Sequence, residues 1–312
     1  MFCLQTALKV ISQKSEETKC KLYGVPPLED YEWGSFPPEL SLFKNVHEIN
    51  ASMALQISRY FLTRSLLHPT ITKTSLKKKI PTNLTTMAPG FKIDAEQALG
   101  LKLCQWPGRS QKVISNGNTY FLDGAHTEQS MWACRSWFDH VLKNHPIPEK
   151  RILIFNSTGD RKSEVLLAPL LTFPFDLVIF CTNVTKEVDL ASDNTNLNFS
   201  LQFALQKCEI NKSTWDKLQG AKLENNLDIP ETSLKIPNSQ VVTHIEDAIK
   251  KVNPDQNTHV YVTGSLHLVG GVLSFIQPNC CESLEEEYVK ELKETYKNLQ
   301  HKKSIESSAM LV

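Results

Sequence analysis

Short apolar runs alternate with amphipathic stretches through the second half of the chain. Tyr120-Phe-Leu122, Arg151-Ile-Leu-Ile-Phe155, Phe175-Asp-Leu-Val-Ile-Phe180 and His259-Val-Tyr-Val-Thr263 are too short for helices and read as buried strands. Glu128 to Val141 and the stretch near Phe203 to Gln219 read as helices, and another runs through Val269-Gly-Gly-Val-Leu273. This alternation over 105–278 predicts an α/β domain with a mainly parallel sheet. Val184 to Pro237 is polar and rich in Asn, and is expected to carry a long surface insertion.

The first third has a different pattern. Leu8 to Lys21 has helical spacing, and Cys20-Lys-Leu-Tyr-Gly-Val25 reads as a strand. The four prolines between Pro26 and Pro38 demand a loop. Val46 to Phe61 reads as a helix whose apolar face is Ile49, Met53, Ile57 and Tyr60. From Ser65 to Lys92 periodicity gives way to Thr, Pro and Lys77-Lys78-Lys79, the composition of an exposed linker. Ile93 to Leu103 then reads as a short helix. The expected layout is 1–64 as one folded segment, 65–104 as linker, 105–278 as the α/β domain and 279–312 as a charged tail.

Composition narrows the function classes. Lys plus Arg and Asp plus Glu each number 34, so net charge gives no case for nucleic acid or an acidic membrane surface. No apolar run approaches the ~20 residues of a membrane span, and Met1 to Lys9 is not a secretory signal. The eight cysteines contain no Cys-x-x-Cys pair and read as reduced thiols, giving an expectation of no metal site. A monomer is expected.

The candidate chemistry lies where the strands end. Asp123 and His126 fall in the turn after Leu122, where open α/β sheets collect ligands. Arg109 precedes that strand and suits a phosphate. Asn156-Ser-Thr-Gly-Asp-Arg161 and Gly264-Ser-Leu-His267 end two more strands. Each turn is also open to a structural reading: Asp123 as a helix cap, Ser265 as an N-cap beside a packed His267, and an Asp160–Arg161 ion pair. Gly270-Gly271 reads as close helix–sheet packing.

Trp106-Pro-Gly-Arg109, Leu122-Asp-Gly-Ala-His-Thr127, Phe155-Asn-Ser-Thr-Gly-Asp-Arg161 and Val262-Thr-Gly-Ser-Leu-His-Leu-Val-Gly-Gly-Val272 together resemble folylpolyglutamate synthase, of the Mur ligase superfamily. The resemblance runs weakly back to Met1 and forward to about Pro278. It implies a Rossmann-like C-terminal domain preceded by the tail of a Mur-ligase-type central ATP-binding domain, residues 1–64. The implied activity is ATP-dependent addition of L-glutamate to the γ-carboxylate of tetrahydrofolate polyglutamates through an acyl phosphate, in the cytoplasm, the mitochondrion or both. Implied ATP contacts are Arg109, Asp123 (ribose), His126 and Asn50 (adenine), the last within His47-Glu-Ile-Asn50. Ser265 and His267 are implied for the incoming glutamate. No catalytic residue or Mg²⁺ ligand is implied here, since both are expected upstream.

The family's Gly-x-x-x-x-Gly-Lys-Ser/Thr loop has no counterpart in these 312 residues. The chain therefore reads either as a truncated synthase or as a short product. The alternative function is a non-catalytic nucleotide- or folate-binding or regulatory module. A Rossmann dehydrogenase is disfavoured because no Gly-x-Gly-x-x-Gly follows a strand.

Overall fold

A computed structural model of the chain describes residues 2–34, 40, 44–65, 86–186, 200–225, 237–254, 257–278, 289–290, 293–294 and 297. Two compact units divide between Gln105 and Trp106.

The first unit contains α1 (Phe2–Thr18), β1 (Tyr23–Gly24), α2 (Lys44–Ser65), β2 (Thr86–Met87) and α3 (Ala95–Leu103). Its core gathers Leu28, Tyr31, Ala51, Leu55, Phe91 and Ile93. Small residues on α2 let the 26–33 segment approach closely. The Tyr31 hydroxyl lies 2.9 Å from Ser52 Oγ, and Gln56 Nε2 donates to Tyr31 Oη and the Pro89 carbonyl, both at 3.0 Å. Arg59 lies over the Phe91 ring, 4.2 Å from its centroid.

Two expectations need correction here. Ile49, Met53, Ile57 and Tyr60 are exposed, and the buried edge of α2 is Ala51, Ser52 and Leu55. Hydrogen bonding and close approach select the smaller residues, which a count of apolar positions overlooks. The 65–104 segment is not simply linker. Residues 66–85 lie outside the described residues, but β2 pairs in parallel with β1, and Phe91 and Ile93 enter the core; the short helix expected over Ile93 to Leu103 is present as α3, which Asp94 caps in a capping box with Gln97. Most of the 279–312 tail also lies outside the described residues.

The second unit is a six-stranded sheet in the order β3-β4-β8-β5-β6-β7. Its strands are β3 (Gln111–Ser115), β4 (Asn118–Asp123), β5 (Lys150–Phe155), β6 (Leu177–Cys181), β7 (Asn238–Val242) and β8 (Thr258–Thr263). Every pairing is parallel except β3 with β4. Those two form a hairpin through Asn116-Gly117, whose φ values of 48° and 69° suit a turn with two left-handed residues. The strand read at Phe175–Phe180 starts at Leu177, and the four apolar runs singled out in the sequence all lie within or overlap strands.

Sheet winding follows from right-handed crossovers. The chain moves outward from β4 through α4 (Glu128–Asn144), β5, α5 (Ser163–Leu167), β6 and α6 (Leu201–Asn225) to β7. It then returns through α7 (Ile245–Lys250) to β8, which inserts between β4 and β5, and leaves through α8 (Leu266–Ile276). Reversing direction puts α7 and α8 on the opposite face from α4 and α6. Strand alternation supplies a core to each face. Tyr120, Leu122, Ile152, Ile154, Val260 and Val262 pack with α7 and α8. Phe121 and Tyr261 face the other way, where they meet Trp137, Phe138 and Phe175, and Phe175 in turn meets Trp215. Fully burying each of Phe121, Phe138 and Met131 contributes about 1.5–3 kcal/mol.

Candidate functional site

The carboxyl ends of β4, β8 and β5 lie side by side. The helices that follow β4 and β8 cover opposite faces, so a switch point falls between these strands. Four loops meet there, and glycine makes their approach possible. Gly124 N–H donates to the Gly108 carbonyl at 2.9 Å, joining the 106–110 loop to the turn after β4. A Cβ on Gly124 would stand 2.2 Å from Leu266 Cδ2 and 3.3 Å from Arg109 Nη1. That space is therefore filled by the first residue of α8, with the Arg109 guanidinium alongside. A Cβ on Gly264, whose φ is 98°, would lie 2.0 Å from the Asn156 carbonyl oxygen, so the turn after β8 sits directly against the loop after β5.

Asp123 ties this assembly together. Its Oδ2 accepts from Ser110 N–H (3.0 Å) and Ser110 Oγ–H (3.3 Å), and Oδ1 accepts from Ala125 N–H (3.0 Å). Burial pushes its carboxyl group up from the ordinary range. The Ser110 N–H, the nearby Arg109 charge and the Ala125 N–H pull the other way. Three accepted bonds use most of the roughly four lone-pair directions of a carboxylate. Asp123 does not cap α4. Thr127 does, in a capping box with Ser130.

Arg109 is half-buried, between its loop and the Gly124 turn. His126 is held by its backbone N–H, which donates to Ser130 Oγ at 3.0 Å, and by Nδ1, which lies 3.0 Å from the Gly124 carbonyl. A carbonyl only accepts, so Nδ1 is the donor in that contact. Ser265 is buried and caps α8 by accepting from Leu268 N–H at 3.4 Å. His267 is exposed on the first turn of α8. The Asp160–Arg161 pair does not form. Arg161 Nη1 donates instead to the carbonyl and hydroxyl of Thr158, both at 2.8 Å. Gly271 packs against Ile245 of α7 and Thr185 rather than the sheet, and Gly270 has open space around it.

The structure therefore brings Arg109, Asp123, His126, Ser265 and His267 to one set of strand ends. Asn50 is in the first unit, exposed and within α2 rather than at its start. Sequence reasoning missed Ser110 and Leu266. The glycines at 108 and 124, which let the loops touch, were the available signal. Two surface cavities lie elsewhere: one of about 490 Å³ lined by Val242, Thr243, Asp247, Lys250 and Lys251, and one of about 350 Å³ around Pro26, Trp33 and Glu48. Neither gathers the strand-end residues. Among the described residues no group of three His, Cys, Asp or Glu side chains is placed to hold a metal ion. No described helix is long and apolar enough to cross a membrane.

No family model matches the chain. It is 30% identical over 323 residues to the mitochondrial folylpolyglutamate synthase of Bos taurus, covering 87% of this chain and 55% of that protein. The chain is a homologue of the folylpolyglutamate synthases. The folylpolyglutamate synthase of Saccharomyces cerevisiae is 30% identical over 278 residues, and a putative folylpolyglutamate synthase of Caenorhabditis elegans is 31% identical over 276. These cover 85% and 86% of the chain, and 44% and 50% of the relatives. The chain thus spans about half the length of the folylpolyglutamate synthases it matches. Among solved structures, the folylpolyglutamate synthase of Thermotoga maritima aligns over 80% of this chain and 42% of its own, with TM-score 0.42 and 19% identity. That of Mycobacterium tuberculosis, complexed with ADP and AMPPCP, covers 60% and 36%, with TM-score 0.39 and 16% identity.

Proposed function

We propose that the chain supplies the nucleotide- and glutamate-binding face of an ATP-dependent folylpolyglutamate synthase. The observation that carries this reading is the convergence of Arg109, the Asp123–His126 turn and the Ser265–His267 turn at one switch point, in a homologue of that family. Residues 1–64, with the folded 86–103 segment, would be the end of a central ATP-binding domain, and 105–278 the C-terminal ligase domain. Mitochondrial relatives make a mitochondrial or cytoplasmic setting the natural one.

In the proposed reaction a γ-carboxylate oxygen of the folate's glutamate attacks the ATP γ-phosphorus and ADP leaves. The amine of L-glutamate then attacks the acyl carbon, phosphate leaves, and the nitrogen loses a proton. This chain's part is positioning and charge complementation. Arg109 presents a planar fork of donors to phosphate oxygens. Asp123 fixes the loop that carries Arg109, and its remaining lone pair can accept from a ribose hydroxyl. His126 offers Nε2 to the same ligand. The free N–H groups at the start of α8 suit a carboxylate of the incoming glutamate, with His267 beside them. Mg²⁺ would neutralise the triphosphate, and its ligands are assigned to none of the described residues.

The missing Gly-x-x-x-x-Gly-Lys motif favours a second reading for these 312 residues alone, namely binding without turnover. Titration calorimetry with MgATP, beside incorporation of labelled glutamate into tetrahydrofolate, separates the two. Binding without incorporation is expected, and Arg109→Ala should weaken binding by about 1.5–3 kcal/mol. Unchanged MgATP affinity in that variant would remove Arg109 from the site.

A further inference from the structure

The loop after β5 joins the site only if it is held against the turn after β8. Its tip, Gly159 and Asp160, is exposed, and Arg161 folds back onto Thr158. Both ends of the loop are gripped by one helix that the site assignment leaves unused. Asn211 of α6 is fully buried. Its Oδ1 accepts from Ser157 Oγ at 3.0 Å and from Ser163 Oγ at 2.6 Å, closing the loop across its neck. One turn earlier on the same helix face, Lys207 Nζ donates to the Arg161 carbonyl at 2.7 Å.

We propose that Asn211 and Lys207 are positioning residues, which through α6 fix the 157–163 loop against Gly264 and thereby shape the ligand site. The inference rests on the nucleotide-site reading above. The contacts suit the task. A carboxamide oxygen accepts from both ends of the loop at once. An ammonium donates to the Arg161 carbonyl; burial pulls the Lys207 pKa down, the charges of Glu164 and Asp160 push it back up, and Arg161 lowers it again. On the other side the Gly264 backbone lies directly against the Asn156 carbonyl, which occupies the volume a side chain would need.

The test uses the full chain with the substitutions Lys207→Met, Lys207→Arg and Asn211→Ala. One readout is the rate of tryptic cleavage at Arg161–Lys162, and the other is MgATP affinity. Lys207→Met and Asn211→Ala should each speed cleavage roughly tenfold, as expected for losing one charged or doubly used hydrogen bond, and weaken MgATP binding severalfold. Lys207→Arg, which keeps a donor, should restore both. Lys207 is only half-buried, so its variants decide the matter if Asn211→Ala does not fold. Wild-type cleavage rates in Lys207→Met overturn the clamp. So does faster cleavage with unaltered MgATP affinity. If the unsubstituted chain binds no MgATP, the nucleotide reading fails instead, and the cleavage rates alone decide whether the clamp exists.

Discussion

Replacing Asp123 with Asn tests whether this carboxylate holds the site loops together. The substitution preserves shape, so the Ala125 N–H keeps an acceptor. On the other branch an NH₂ group then faces the Ser110 N–H, donor against donor. The Ser110 hydroxyl can rotate to accept, so the net change is one charge-assisted bond lost and one N–H left unsatisfied. That change is worth roughly 1.5–3 kcal/mol. For a unit of this size, about 2–4 °C of Tm per kcal/mol gives a drop of roughly 3–12 °C. Ser110→Ala removes only the 3.3 Å hydroxyl contact and should lower Tm by a fraction of that. The two changes share an atom, so the double variant should be less destabilised than their sum. Burial raises the Asp123 pKa, so its contribution to stability is fully present below the ordinary carboxylate value and falls as pH rises through the folded value. Asp123→Asn should therefore also remove a downward slope of stability with pH in that range. Scanning calorimetry at several pH values checks both effects. A Tm within about 1 °C of wild type, with the slope intact, would refute the staple and leave Asp123 free to act purely as a ligand.

Three other predictions concern histidines and the start of α8. Burial, with Arg151, His145 and Lys112 nearby, pushes the His259 pKa down from 6.5 to about 4. The unfolded chain therefore binds more protons between these values, and stability should rise by on the order of 3 kcal/mol from pH 4 to 6.5. Urea unfolding midpoints across that window test this, and His259→Phe should flatten the rise. Ser265→Ala should cost about 1 kcal/mol by removing the α8 cap. His267→Ala should leave Tm unchanged but raise the KM for glutamate in a complete enzyme. A wild-type KM there would detach His267 from glutamate.

Strands β4, β5, β6 and β8 were legible because a strand buried on both faces must be apolar at nearly every position, and polar turns then mark its ends. β3 was not, since Gln111, Lys112 and Ser115 look like loop. Its signal was Asn116-Gly117, which favours a two-residue hairpin. β7, at the opposite edge, is Asn-Ser-Gln-Val-Val and equally polar at its start. Arg109, Asp123 and Ser265 could be singled out as candidates because each lies beside a strand end, where the structure gathers them. The role of Asp123 as a staple was not readable, because its partner Ser110 is thirteen positions away across a hairpin. Asn211 and Lys207 left no trace at all, since they meet their partners across about fifty residues of sequence.

The two faces of the sheet differ in what light can see. Trp137, Trp215, Tyr261 and most of the buried phenylalanines occupy the side under α4 and α6, while the side under α7 and α8 is almost entirely aliphatic. Trp106 and Trp132 are open to water and should emit at longer wavelengths than the buried indoles of Trp137 and Trp215. The short-wavelength edge of the fluorescence, and the near-ultraviolet dichroism, therefore follow one layer of this domain. Its other layer holds Tyr120 among aliphatic side chains and reports chiefly through methyl resonances.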